Sequence, residues 1–132
     1  MYVKHTNGNY SEKVNFIDEN DVFVGYDMST SCCENYGYIF TDTDDFDSAD
    51  GILYDDDYGS TDVKTNNESD YNLDGYVFDT SWFEERDQIV VFRLTKEDSP
   101  DIFLTLYNSH NGYYGHGFEF MNGDNVIADS YI

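Results

Sequence analysis

Apolar and polar residues alternate in short runs along most of this chain, and the runs are separated by clusters of Asp, Asn, Gly and Ser. Alternation with a period of two marks a strand with one buried face, and no stretch keeps a 3.6-residue apolar period long enough for a substantial helix. The pattern predicts strands over residues 14–17, 21–26 and 36–40, the first two separated by the polar turn Asp18, Glu19, Asn20. In the C-terminal half it predicts strands over residues 75–79, 88–95, 102–108, 113–121 and 125–131. Asn111-Gly112 and Asn122-Gly123 fall between the last of these, and tight hairpins favour Asn-Gly because φ can turn positive there. An antiparallel C-terminal meander is the expectation. Pro100, the only proline, sits in the polar connection 96–101, where a missing amide donor does no harm. The expected fold is a single β-rich α+β domain over residues 1–132, with an antiparallel sheet, little helix and an acidic mid-chain insertion.

That insertion, residues 41–72, is poor in aliphatic residues and holds Lys64 as its one counter-charge. Asp42, Asp44, Asp45, Asp47, Asp50, Asp55, Asp56, Asp57 and Asp62 all fall in it, interrupted by Phe46, Ile52, Leu53 and Tyr54. It reads either as a solvated acidic loop or as a segment docked on the sheet through those apolar residues. The whole chain carries 28 Asp and Glu against 6 Lys and Arg, a net charge of -22 on 132 residues, yet it is 18% aromatic and 39% hydrophobic. That is ample material for a core. A duplex carries one charge per roughly 1.7 Å, so this net charge matches roughly 37 Å of DNA, close to the width of a domain this size.

The charge excludes direct binding to nucleic acid or to an anionic membrane, both of which would be repelled, and points to a basic partner. Alternate carboxylates on an extended segment lie about 6.6 Å apart, a spacing similar to successive phosphates. The expectation is therefore a nucleic-acid mimic that engages a basic nucleic-acid-binding protein through the aspartates of residues 42–62, with Tyr54 and Tyr58 as apolar anchors. Halophilic adaptation is a competing explanation of the acidity. Cys32 and Cys33, adjacent in sequence, read as reduced thiols and favour a cytoplasmic setting, and no apolar run is long enough for a signal peptide or a membrane span.

Asp70, Asn72, Asp74, Gly75 and the Tyr76 carbonyl match the first seven positions of a calcium loop, but Ser81 stands where a bidentate Glu should close the shell. Calcium binding through Asp70, Asn72, Asp74 and Tyr76 is the alternative function, and an Asx-rich turn is the alternative structure. Cys32, Cys33, His110 and His116 make a weaker case for zinc, since no Cys-x-x-Cys spacing is present. No phosphate-binding glycine loop or nucleophile elbow occurs, and a thiolate amid this negative charge would be a poor nucleophile. The chain is not expected to be an enzyme or to require a cofactor.

Two segments, Ser31-Cys-Cys-Glu-Asn-Tyr-Gly-Tyr-Ile-Phe and Ser109-His-Asn-Gly-Tyr-Tyr-Gly-His-Gly-Phe-Glu-Phe, resemble an uncharacterised family of short phage and bacterial proteins. That family pairs an Asp-Cys-Cys-Glu motif with a Ser-Asn-Gly-Tyr-Tyr-Ser hairpin near the C-terminus. Here Ser31 replaces the Asp, His110 is inserted, and Gly115 follows the second Tyr. The resemblance covers about a fifth of the chain, omits the acidic middle, and implies a phage or mobile-element setting. Small acidic proteins in that setting often inhibit restriction nucleases or CRISPR effectors in the host cytoplasm.

Overall fold

The computed structural model of the chain describes residues 1–8, 11–29, 35–53, 66–109 and 115–132. Among these residues, nine strands form two antiparallel sheets. The first has the order β1-β2-β3-β8-β9, from Tyr2–Gly8 (β1), Ser11–Ile17 (β2), Val22–Asp27 (β3), Gly117–Asn122 (β8) and Asn125–Tyr131 (β9). The second has the order β4-β7-β6-β5, from Asn35–Thr41 (β4), Val77–Arg86 (β5), Ile89–Thr95 (β6) and Ile102–Ser109 (β7). Among the same residues the helical content is one short helix, Ala49–Leu53 (α1), and a 3-10 turn at Glu68–Asp70.

Alternation sends Val14, Phe16, Val24, Tyr26, Phe118 and Phe120 of the first sheet inward, against Tyr38, Phe40, Phe92, Leu94, Leu104 and Leu106 of the second. Edge-on ring pairs tie the two faces together, Phe16 to Tyr38 at 4.9 Å and Phe92 to Phe120 at 5.0 Å. The ring quadrupole favours this geometry by about 1 kcal/mol per pair beyond the area buried. The second sheet is buried on its outer face as well: Ile39, Ile89, Val91 and Tyr107 point away from the first sheet and are covered by Phe46, Ala49 and Ile52. That double burial is why residues 89–92 form an unbroken apolar run instead of alternating.

The C-terminal meander divides between the sheets. β5, β6 and β7 form it, but β8 and β9 join the first sheet, with β8 pairing with β3. Both edges of β7 are already taken, by β4 and β6, so β8 must find its hydrogen bonds elsewhere. Asn111-Gly112 lies outside the described residues; the strands before and after it, β7 and β8, belong to different sheets. In the β8–β9 hairpin Asn122 pairs with Asn125, so the two central residues are Gly123 and Asp124, and Gly123 supplies the positive φ of 58°.

β5 runs well past its predicted end through a bulge, in which the four residues between Phe78 and Phe83 face Arg93 alone. Asp79 organises the bulge: it accepts hydrogen bonds from the Ser81 amide at 2.9 Å, the Ser81 hydroxyl at 2.6 Å and Arg93 Nε at 3.0 Å. Arg93 also lies 5.6 Å from the centre of the Trp82 ring. The Ser81 hydrogen bond, followed by Arg93, holds the Asp79 carboxyl below its ordinary pKa of 3.8. Because the folded-state value is the lower one, this stabilisation is complete above 3.8 and disappears as pH falls through the folded value. Asp79→Asn is expected to flatten the loss of stability in that acid range, read from urea midpoints between pH 6 and roughly pH 2. An unchanged acid limb would remove this role.

No helix among the described residues is long and apolar enough to cross a membrane.

Candidate functional site

Strand register gives the two sheets unlike ends. Tyr2 pairs with Ile17 and Val22 with Asn122, so the β2–β3 and β8–β9 turns share one end. The pairs Val77 with Thr95 and Thr41 with Phe103 bring the β6–β7 connection and the exit of β4 to the same end. Asp18 joins the two sheets there. Its carboxylate is 4% exposed; Oδ1 accepts from the Asn20 and Val22 amides at 2.8 and 3.0 Å, and Oδ2 from the Phe78 amide at 2.9 Å. Around it Glu19, Asp21, Asp42, Asp70, Asp74, Glu97, Asp98 and Asp124 are exposed. Two cations share the region: the Met1 amine donates to the Leu73 carbonyl, and Lys96 lies 5.8 Å from the centre of the Tyr76 ring.

From this acidic end residues 42–53 cross the outer face of the second sheet as a strap. Phe46, Ala49 and Ile52 are its buried anchors, and Arg86 is its clamp. The Arg86 guanidinium, with its side chain 15% exposed, donates through Nη1 to the carbonyls of Asp44 at 2.7 Å and Phe46 at 2.6 Å. It also pairs with the carboxylates of Glu84 at 3.2 Å and Asp44 at 3.4 Å. The Ala49 amide donates to the Asp87 carbonyl at 3.1 Å, and at the far end Ser109 Oγ donates to Asp50 Oδ1 at 3.2 Å. Asp42, Asp45, Asp47 and Asp50 are left exposed, while Asp44 is half-buried beside Arg86.

The strap is docked, as its apolar residues suggest, but it is not a regular strand presenting alternate carboxylates. Burying Phe46 and Ile52 shapes its path, and Tyr71, which donates to Asp42 Oδ1 at 3.1 Å, fixes its start. Tyr54, Asp55, Asp56, Asp57, Tyr58 and Asp62 lie outside the described residues. The residues that composition alone did not single out are Arg86, which holds the strap, and the scattered turn acids that topology collects beside Asp42. The isolated arginine before a turn was the available signal for the clamp.

The calcium-like stretch folds as consecutive turns. Asn72 Oδ1 accepts from the Asp74 amide at 3.1 Å, the Tyr76 amide donates to the Leu73 carbonyl at 3.1 Å, and Gly75 has φ 81°. Positive φ at the third position is the signature of a type II turn, which needs Gly there. Tyr76 itself is buried, its hydroxyl donating to the Pro100 carbonyl at 2.8 Å. Among the described residues no three His, Cys, Asp or Glu side chains come together as a metal-binding group.

The described residues of the segments 31–40 and 109–120 come together at the opposite end, where Asn35 pairs with Ser109. His116 is buried there, stacked on Tyr36 with ring centres 4.3 Å apart, and its Nδ1 lies 2.6 Å from the Asp27 carbonyl. Cys32, Cys33 and His110 lie outside the described residues. Along the open edge of β4, Asn66 and Asn67 side chains take the place of a neighbouring strand: Asn66 Oδ1 accepts from the Tyr38 amide, and Asn67 bonds both the amide and the carbonyl of Phe40. Burial, reinforced by Glu68, pushes the Tyr38 phenol well above its ordinary pKa.

Fold and site together define a two-sheet β protein with an acidic strap on one outer face and an acidic turn end. Compared with protein-family models, curated proteins and solved structures, the chain finds no match.

Proposed function

We propose that this protein is an acidic nucleic-acid mimic that occupies the polynucleotide-binding surface of a basic host defence protein, such as a restriction nuclease or a CRISPR effector. It acts by occupancy, without catalysis or a cofactor, in the cytoplasm of the cell where its target works. The observation that carries this reading is the anchored strap, whose exposed carboxylates are held in place by Arg86 and a buried apolar face. The strap begins beside Phe103 and reaches Ser109, a span of about 20 Å along β7. It leaves four exposed aspartates there, Asp42, Asp45, Asp47 and Asp50, while the fifth, Asp44, is taken by Arg86. Held in this way, the carboxylates meet a Lys- and Arg-lined groove without first losing conformational freedom.

The test is competition. Labelled duplex or guide RNA bound to a panel of restriction and CRISPR effectors is titrated with the protein, and the release is followed by fluorescence anisotropy at several salt concentrations. Release from at least one effector is expected, with inhibition falling steeply as salt rises. Asp45→Lys with Asp47→Lys is expected to weaken it at least about tenfold, since each reversal turns a charge-assisted contact into a repulsion. Failure across the panel, or full activity of the double variant, would reject the proposal.

A further inference from the structure

The outer face of the first sheet carries no covering segment among the described residues, unlike that of the second. Register arranges its side chains in rows. Tyr2, Ile17, Phe23, Met121 and Val126 form an apolar row nearest the acidic end, since each is paired with the next across β1, β2, β3, β8 and β9. Three of the four large hydrophobic side chains exposed among the described residues lie on this face: Tyr2 at 58%, Val126 at 58% and Tyr131 at 76%. Exposed aromatic and aliphatic groups gathered on one face mark an interaction surface.

Beside that row is a cavity of about 360 Å³ with Gly25 and Gly117 among its lining residues. The glycines make the space. A Cβ at Gly25 would lie 2.7 Å from Lys13 Cε and 3.0 Å from Glu119 Oε1, so its absence lets the Lys13–Glu119 ion pair cross over the strand. At Gly117 a Cβ would sit 3.2 Å from Tyr131 Cε1, so the tyrosine ring rests directly on the glycine. Asp27 and Asp129 complete the polar wall. Three carboxylates face one ammonium, which is already paired with Glu119.

We infer that this pocket receives an arginine side chain presented by a basic polypeptide partner. A guanidinium is planar, so it can take the Asp129 carboxylate through two parallel hydrogen bonds while stacking on the free face of Tyr131, and an ammonium cannot do both. The neighbouring apolar row then covers the flanking residues of the partner chain. The inference rests on the basic-partner reading above, but its test uses no partner, so each can fail without the other.

The probe is N-acetyl-argininamide, titrated into the isotope-labelled full chain, with N-acetyl-lysinamide as comparison. Saturable amide shifts centred on Gly25, Gly117, Asp129 and Tyr131 are expected, with the arginine compound bound more tightly. Asp129→Asn is expected to weaken binding about tenfold, and Tyr131→Ala about threefold. Glu85→Gln, which removes the same charge elsewhere, leaves it unchanged. Unchanged melting temperatures separate these effects from loss of the fold. Shifts spread evenly over the acidic surface, equal affinity for the lysine compound, or an Asp129→Asn variant that binds normally would each overturn the assignment. So would a concentration-dependent dimer that buries Tyr131.

Discussion

Asp18→Ala is expected to lower the unfolding free energy by about 4 kcal/mol, because it strips the acceptor from two buried amides at once, each costing about 1–3 kcal/mol when left unmet. The amides are those of Val22 and Phe78, in different sheets and 56 residues apart in sequence; the third, at Asn20, is exposed and water can replace its partner. A domain has only about 5–15 kcal/mol in total, so the variant loses a large fraction of its stability. Asp18→Asn keeps one acceptor oxygen and is expected to fall between the two. Urea denaturation followed through Trp82, the single tryptophan, measures both. A loss below about 1 kcal/mol for the alanine variant would show that this carboxylate does not join the sheets. The acidic turn end depends on it, since Glu19 and Asp21 flank the same hydrogen bonds.

Arg86→Ala is expected to release the strap. The guanidinium serves two main-chain carbonyls as well as Glu84 and Asp44, and the loss of charge-assisted bonds in a largely buried setting is worth about 3 kcal/mol. Protease cleavage within residues 42–53 should accelerate accordingly. The functional consequence separates two explanations of the acidity. Removing Arg86 takes the net charge from -22 to -23, so a mimic working by bulk charge would gain. One working through a fixed array should lose about tenfold in nucleic-acid displacement, because the carboxylates must then be ordered on binding. Arg86→Lys retains the charge but not the planar fork, and should recover only part of the loss. Displacement by the alanine variant equal to or better than that of the native chain would refute the array.

The sequence was most legible where burial is one-sided. Val14, Phe16, Val24 and Phe118, Phe120 alternate cleanly, and β2 and β3 lie close to where alternation places them. β8, by contrast, starts only at Gly117, inside the range of the predicted 113–121 strand, with Gly115 and His116 outside any strand. β1 escaped notice because it is an edge strand, mostly exposed, whose Lys4, Thr6 and Asn7 carry little apolar signal. Partner choice was not legible at all, since Phe118 and Phe120 would fill the core from either sheet, and only the occupied edges of β7 decide. The strap was legible in part: Phe46 and Ile52 announced docking, while the outer face they cover shows in the unbroken run of residues 89–92 only once the sheet order is known. The Gly25–Gly117 pocket was signalled only by two glycines inside strand sequence, where they commonly admit something close to the backbone.

Most of the positive charges among the described residues are engaged within the molecule, with Lys4 left exposed. Lys13 is held by Glu119, Arg93 by Asp79, Arg86 by the strap, and Lys96 lies over Tyr76. Two copies that approach each other therefore offer almost no complementary charge, and they repel at any orientation within a Debye length of about 8 Å at physiological salt. The protein should stay monodisperse when crowded, and it keeps its affinity for unlike surfaces at concentrations where a more balanced chain would begin to associate with itself.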